Sequence, residues 1–102
     1  MAGKYKVTVS EKFRQLLGAH VRFLAEKSPE AATEMKKRIL EAVRSLDRMP
    51  ARFPFLSAEY ITPNKYRKML VKKRYLVLYQ IKENTVRVDY IVDCREDYSW
   101  IR

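Results

Sequence analysis

The chain has 102 residues, which suffices for one domain with a modest hydrophobic core and excludes two. Hydrophobic residues are 47% of it, which excludes a disordered polymer, and no apolar run approaches the ~20 residues of a membrane span. Lysine and arginine total 22 against 12 acidic residues, a net charge of +10, so we expect a polyanionic partner: nucleic acid or the ribosome first, an acidic protein second.

The scarcity of cysteine, histidine and glycine excludes several kinds of site. Cys94 is the only cysteine and His20 the only histidine, so an internal disulfide, a cysteine-rich zinc site and a cage of imidazoles are all impossible, and we expect no cofactor. The two glycines, Gly3 and Gly18, cannot form a phosphate-binding loop. The opening residues lack the apolar segment of a signal peptide, which indicates a cytoplasmic protein.

Alternating apolar residues from Tyr5 to Val9 predict a short strand at the start of the chain. Three- and four-residue apolar spacing then predicts two amphipathic helices, at about Glu11–Lys27 and Pro29–Met49, capped by Ser10 and Ser28. The residues expected to form their shared core are Leu17, Leu24, Val43 and Leu46. His20 lies on the apolar face of the first helix, where a packed histidine is the favoured interpretation.

Prolines interrupt the helical pattern between residues 49 and 64. Phe53, Phe55 and Leu56 in this loop are predicted to pack on the domain, because exposed they would form a sticky patch. A period of two then predicts three strands joined by short turns, which favours an antiparallel meander. These strands are Tyr66–Val71, Tyr75–Lys82 and Thr85–Asp93. The predicted fold class is therefore α+β, with helices on one face of the sheet and the other face solvated or binding a partner.

Basic and aromatic residues gather on the predicted meander and in the segment after it. They are Arg67, Lys68, Lys72, Lys73, Arg74, Arg87, Arg95, Tyr98, Trp100 and Arg102. Adjacent strands could bring these side chains together on one surface. By spacing alone, a solvated basic face with aromatic residues at the core edge is as good an interpretation as a nucleic-acid site.

Segments along nearly the whole chain follow one family pattern. They are Tyr5-Lys6-Val7-Thr8-Val9-Ser10, Leu46 through Met49-Pro50, Tyr66-Arg67-Lys68-Met69-Leu70-Val71, Tyr75-Leu76-Val77-Leu78-Tyr79-Gln80-Ile81 and Asp93-Cys94-Arg95-Glu96-Asp97-Tyr98. In this order they resemble the RelE/ParE toxins of type II toxin–antitoxin systems, and the last is similar to the ending of the YoeB branch. The resemblance implies an N-terminal strand, a two-helix hairpin and a three-stranded antiparallel meander.

The resemblance implies two alternative activities. The favoured one is a ribosome-dependent mRNA endonuclease that inhibits translation, and the alternative is a ParE-like inhibitor of DNA gyrase without enzymatic activity. It also implies a cognate antitoxin, for which we expect an acidic, amphipathic segment. In the nuclease alternative, Arg67 and Arg95 match the residues that hold the scissile phosphate, and Tyr98 matches the terminal tyrosine at the reacting atoms. The other basic residues, Lys68, Lys72, Lys73, Arg74, Arg87 and Arg102, would bind RNA.

Cleavage of this kind needs no metal. The 2′-hydroxyl of the substrate attacks the adjacent phosphate, while cations stabilise the extra negative charge and a donor protonates the leaving oxygen. Three positions bear on whether the chemistry is present. Leu76 stands where many active nucleases have arginine, Asp97 stands where the YoeB-like ending has histidine, and Glu59 lies in the region that supplies a base in that branch. Cleavage of mRNA is the leading prediction from the sequence, and these departures keep a ParE-like or an inactive member open as alternatives.

Overall fold

A computed structural model describes residues 4–57 and 62–94 of the protein. Four strands and two α-helices form two layers. In chain order they are β1 (Lys6–Val9), α1 (Glu11–Ala25), α2 (Pro29–Arg44), β2 (Arg67–Val71), β3 (Tyr75–Lys82) and β4 (Thr85–Asp93). The α+β class, the initial strand, the helix hairpin and the meander are confirmed.

The sheet has the order β1-β4-β3-β2 and is mixed. The predicted meander is antiparallel throughout, with Arg67 opposite Tyr79 and Tyr75 opposite Asp93. The first strand adds to it parallel to β4, with Val9 opposite Val88. This pairing follows from the helix hairpin, which returns the chain to the sheet after β1. Position 67 therefore lies on one edge strand, β2, and β1 forms the other edge.

Both helices begin at the predicted serine caps. The hydroxyl of Ser10 accepts from the amide of Phe13 at 3.0 Å, and that of Ser28 accepts from the amide of Ala31 at 3.1 Å. Both α-helices end earlier than predicted, α1 at Ala25 and α2 at Arg44. After α2 the chain tightens into a 3₁₀ turn, Ser45–Asp47, followed by a second one, Pro50–Arg52. Pro50 cannot continue an α-helix, and the shorter turn lets the chain bend towards the sheet.

The main core lies between the helices and the inner face of the sheet. Leu17, Val43 and Leu46 are buried there as predicted, and Leu24 is half-buried against the same cluster. His20 is also half-buried and packs edge-on against the ring of Tyr75, with ring centroids 5.4 Å apart. This core fixes the helices on one face, so the ends and outer face of the sheet are the surfaces available for a site.

The outer face of the sheet is not simply open. Leu56 from the loop and Tyr66 cover Leu78 and Val92 and form a second buried cluster. Of the three apolar loop residues, Leu56 is buried and Phe53 half-buried as expected, but Phe55 remains 40% exposed. The expectation of a face left to solvent or a partner is thus wrong for this part of the sheet, because the chain's own loop occupies it.

No helix in the described part of the chain is long and apolar enough to cross a membrane.

Candidate functional site

Arg67 is the one proposed catalytic residue that falls within the described residues. Its side chain lies on the inner face at the start of β2, where its Nη1 donates to the backbone carbonyls of Phe53 at 2.7 Å and Ala51 at 3.2 Å. Its guanidinium also stacks over the ring of Phe55 at 4.0 Å from the centroid. The alternation of β2 places Arg67 on the same side as the core, so its cation holds the loop.

The other two proposed catalytic residues, Arg95 and Tyr98, and the proposed RNA-binding Arg102 lie outside the described residues. Glu59 and Asp97 lie outside them as well. Their roles remain predictions.

The turn between β2 and β3 carries three of the proposed RNA-binding cations. Lys72 and Lys73 are exposed, and both have left-handed backbone conformations, with φ of 55° and 59°. Arg74 is different, because its Nε lies 3.1 Å from Oδ2 of the buried Asp93 and its guanidinium lies over the ring of Tyr75. The turn thus presents two lysines, and its arginine ties β3 to β4.

Arg87 lies at the other end of the sheet and on its outer face. Its Nε donates to Oδ1 of Asp89 at 3.0 Å, and Gln80 donates to Oδ2 of the same carboxylate at 2.9 Å. Asp89 is only 7% exposed. Lys68 is also on the outer face, half-buried and opposite Leu78. The described cations therefore do not form one cluster, since Arg67 faces inward and Lys72 and Arg87 lie at opposite ends of the strands.

A β-bulge explains the position of Asp89. Leu78 pairs with Tyr90 and Tyr79 pairs with Val88, so Asp89 is the extra residue between them. The hydroxyl of Ser10 donates to its carbonyl at 3.1 Å, which satisfies a backbone group that the ladder leaves unpaired. The bulge turns both Asp89 and Tyr90 to the outer face, where they line the same pocket.

That pocket contains the functional candidates that sequence reasoning missed. It has a volume of about 310 Å³, and the missed residues lining it include Lys12, Lys65, Tyr66, Lys82, Asp89 and Tyr90. The alternation of Arg87 with Val86 and Val88 was enough to place Arg87 on the outer face. The bulge and the approach of α1 and of Lys65 carry no local sequence signal, so the rest of the pocket depends on tertiary structure.

Tyr66 and Tyr79 are poorly suited to act as bases. Burial is the main cause that raises the pKa of Tyr66 to about 12, and the carboxylate of Asp89 adds to it. Burial likewise raises the pKa of Tyr79 to about 12, although Arg67 and Arg52 oppose the shift. Burial also raises the pKa of the Cys94 thiol. Each of these shifts favours the protonated form, which is the wrong direction for a proton acceptor at neutral pH.

The outer face near the start of β3 is apolar. Leu76, Leu78 and Val92 belong to the second cluster or pack against it, and Leu76 is the position where the resemblance expects an arginine in many active nucleases. Within residues 4–57 and 62–94, no three histidine, cysteine, aspartate or glutamate side chains lie close enough to hold a metal ion. The described surface thus offers cations for binding.

A family model described as "ParE toxin of type II toxin-antitoxin system, parDE" matches residues 7–98. Solved structures are similar over nearly the whole chain. The chromosomal ParDE system from P. aeruginosa matches with a TM-score of 0.72 at 16% identity, covering 90% of this chain and 98% of that one. The RelBE2 toxin–antitoxin complex from Mycobacterium tuberculosis has a TM-score of 0.64 at 20% identity, covering 94% and 98%. No curated protein sequence matches.

Proposed function

We propose that the chain, since it belongs to the ParE toxin family of type II toxin–antitoxin systems, inhibits DNA gyrase by binding to it and not by catalysis. The observation that carries the proposal is the position of Arg67. A catalytic arginine must aim its donors at the phosphate, whereas Nη1 of Arg67 is bonded to two loop carbonyls. A cation used in this way stabilises the fold. A toxin that acts by binding does not need Arg67 for catalysis.

The apolar cluster around Leu76 supports the same proposal. Transition-state stabilisation requires charged or polar donors fixed around the reacting atoms. The side chains of Leu76 and Leu78 face outward from β3 and contribute instead to a hydrophobic cluster. Leu78 is fully buried and Leu76 half-buried in this cluster, so neither supplies a donor for a scissile phosphate.

Ribosome-dependent cleavage of mRNA is the second candidate. It is favoured by the order Cys94-Arg95 followed by Tyr98, which is similar to the YoeB ending, and by the net charge of +10. In this alternative Arg95 and Tyr98 carry the chemistry, and Arg67 serves only to hold the loop. The ribosome would supply the substrate geometry that the protein site lacks.

One pair of assays separates the two candidates. The purified protein is incubated with gyrase and relaxed plasmid, and separately with ribosomes programmed with labelled message. We expect inhibition of supercoiling and intact message. Cleaved message with normal supercoiling would replace the proposal by the nuclease alternative. Tyr98→Phe is the matched control, because it should leave gyrase inhibition unchanged and should lower cleavage ~100-fold or more if Tyr98 transfers a proton.

We propose a cognate antitoxin as the protein partner, as in the ParDE and RelBE2 systems. A groove of about 670 Å³ between α2 and β2 offers it a place. The loop pairs with the first half of β2, with Lys68 donating to the carbonyl of Pro54, while no described residue pairs with the outer edge from Met69 to Val71. Leu70 is 53% exposed beside this edge, so an apolar segment of the antitoxin can bury it.

A further inference from the structure

The outer-face pocket around Asp89 draws its cations from separate parts of the chain. They come from the first turn of α1, the segment before β2, the end of β3 and the middle of β4, and are Lys12, Lys65, Lys82 and Arg87. Among the described residues that line this concave volume of about 310 Å³, the acidic one is Asp89. Lys82 and Arg87 lie on adjacent strands in the wall of the pocket, and two cations placed in this way attract an anion.

The carboxylate of Asp89 lies at the base of the pocket in a fixed position. It is nearly buried, and its two oxygens accept from Arg87 at 3.0 Å and from Gln80 at 2.9 Å. The ion pair uses Nε of Arg87, and 58% of that side chain remains exposed. The carboxylate of Asp89 thus fixes the guanidinium of Arg87, whose terminal nitrogens make no hydrogen bond to any described residue. An arginine fixed in this way loses less rotamer entropy on binding than a free surface arginine.

We infer that this pocket, named here the Asp89 pocket, binds a phosphodiester group of a nucleic acid. The terminal nitrogens of a guanidinium match two phosphate oxygens, and lysines beside it add point charges to the same anion. Tyr90 lies half-buried in the wall and packs edge-on against Tyr66, so the pocket also has an aromatic side that can contact a sugar or base. The inference does not depend on the choice between gyrase and the ribosome, because DNA or RNA is present at either target.

The first test is the affinity of the isolated protein for short duplex DNA and for single-stranded RNA of equal length, measured by fluorescence anisotropy. The variant Lys82→Gln/Arg87→Gln is compared with Lys36→Gln/Lys37→Gln, which removes the same charge from exposed positions on α2. We expect the pocket variant to bind ~10-fold more weakly than the control and to lower the salt dependence by about two released counterions. The nucleic acid that shows the larger difference is the preferred ligand. Equal losses in both variants, or no binding of either nucleic acid, would overturn the inference.

Two single substitutions test the geometry of the pocket against its charge. Arg87→Lys keeps the charge and loses the fork, and we expect affinity to fall several-fold or more. Asp89→Asn makes the protein more positive. If only the overall charge attracts the nucleic acid, this variant binds more tightly. If Asp89 positions Arg87 for binding, the variant binds more weakly. Because Asp89 is buried, its variant is compared only after its unfolding midpoint has been measured. Arg87 is exposed, so unchanged affinity of the folded Arg87→Lys protein by itself contradicts a built site.

Discussion

Arg67 and Tyr79 lie opposite each other on β2 and β3, and both donate hydrogen bonds to carbonyls of the same loop. Tyr79 bonds to Pro50, and Arg67 bonds to Ala51 and Phe53. These two side chains thus satisfy three backbone carbonyls of the loop, those of Pro50, Ala51 and Phe53. These bonds fix the position of the loop, although it contains little regular structure. Arg67, a predicted catalytic residue, therefore contributes to the stability of the fold.

Replacing Arg67 by Met should destabilise the protein. The change keeps much of the apolar stem and removes two hydrogen bonds to carbonyls, so we expect the free energy of unfolding to fall by ~1–3 kcal/mol. Urea denaturation measures it. Arg52→Met is the control, since Arg52 also bonds to carbonyls but is exposed. At temperatures where it is folded, the Arg67→Met protein should inhibit gyrase as the wild type does. Normal stability with lost activity would point to a direct role of Arg67 at the target.

Replacing Arg74 by Gln should also destabilise the protein, because it leaves the buried carboxylate of Asp93 without its ion-pair partner. Arg74 is partly exposed, so water can replace some of the interaction, and we expect a loss of ~1–3 kcal/mol. Lys73→Gln removes the same charge from the same turn and should change stability by less than ~0.5 kcal/mol. Similar values for the two variants in thermal denaturation would show that the ion pair contributes nothing beyond net charge.

Replacing Leu46 by Ala tests the helix packing. Leu46 lies in the 3₁₀ turn and is fully buried in the main core, so the substitution should cost ~2–5 kcal/mol. Leu70→Ala deletes the same atoms at a half-exposed position and should cost less than ~1 kcal/mol. The two variants are compared by denaturant midpoint at equal slope. A loss in Leu46→Ala no larger than in Leu70→Ala would contradict the assigned core.

Stability should decline at alkaline pH because of Tyr66 and Tyr79. In the folded protein the pKa of each is about 12, above the ordinary value of 10.0. The folded state therefore holds these protons more tightly than the unfolded state. Their contribution is complete below pH 10 and is lost as the pH rises towards 12.

Urea denaturation between pH 9 and pH 12 measures this effect, with an expected loss of order 1 kcal/mol or more for each tyrosine. Tyr66→Phe should flatten the decline, since Phe cannot ionise. Lysines also titrate in this range, so the difference between wild type and variant is the relevant quantity. Equal declines in the two proteins would exclude Tyr66 as a cause.

Association with the antitoxin should depend on salt. A toxin of charge +10 attracts an acidic segment over long distances, and added salt screens that attraction. We expect the association rate constant from stopped-flow fluorescence to fall at least ~10-fold between ~50 and ~500 mM NaCl, with a smaller change in the dissociation rate. An association rate that ignores salt would mean that apolar contacts alone guide the encounter.

The order of elements was predictable from the sequence, because each depends on local signals. Ser10 and Ser28 cap helices through bonds to amides three residues away, and the bounds of β3 and β4 follow from alternation and short turns. The core positions Val43 and Leu46 follow from helical spacing in the same way. Net charge depends only on composition, so the attraction to a polyanion could also be predicted without the structure.

Only the tertiary structure decided what the individual cations do. Sequence places Arg67, Arg74 and Arg87 in or beside strands, but it does not show that the first bonds to a loop, the second to Asp93 and the third to Asp89 in the wall of the Asp89 pocket. These differences arise because the side that a strand residue faces and the loop that covers it depend on contacts between distant segments. The bulge that turns Asp89 outward depends on pairing between β3 and β4, and hydrogen bonds across a sheet leave no periodic trace in one strand's sequence.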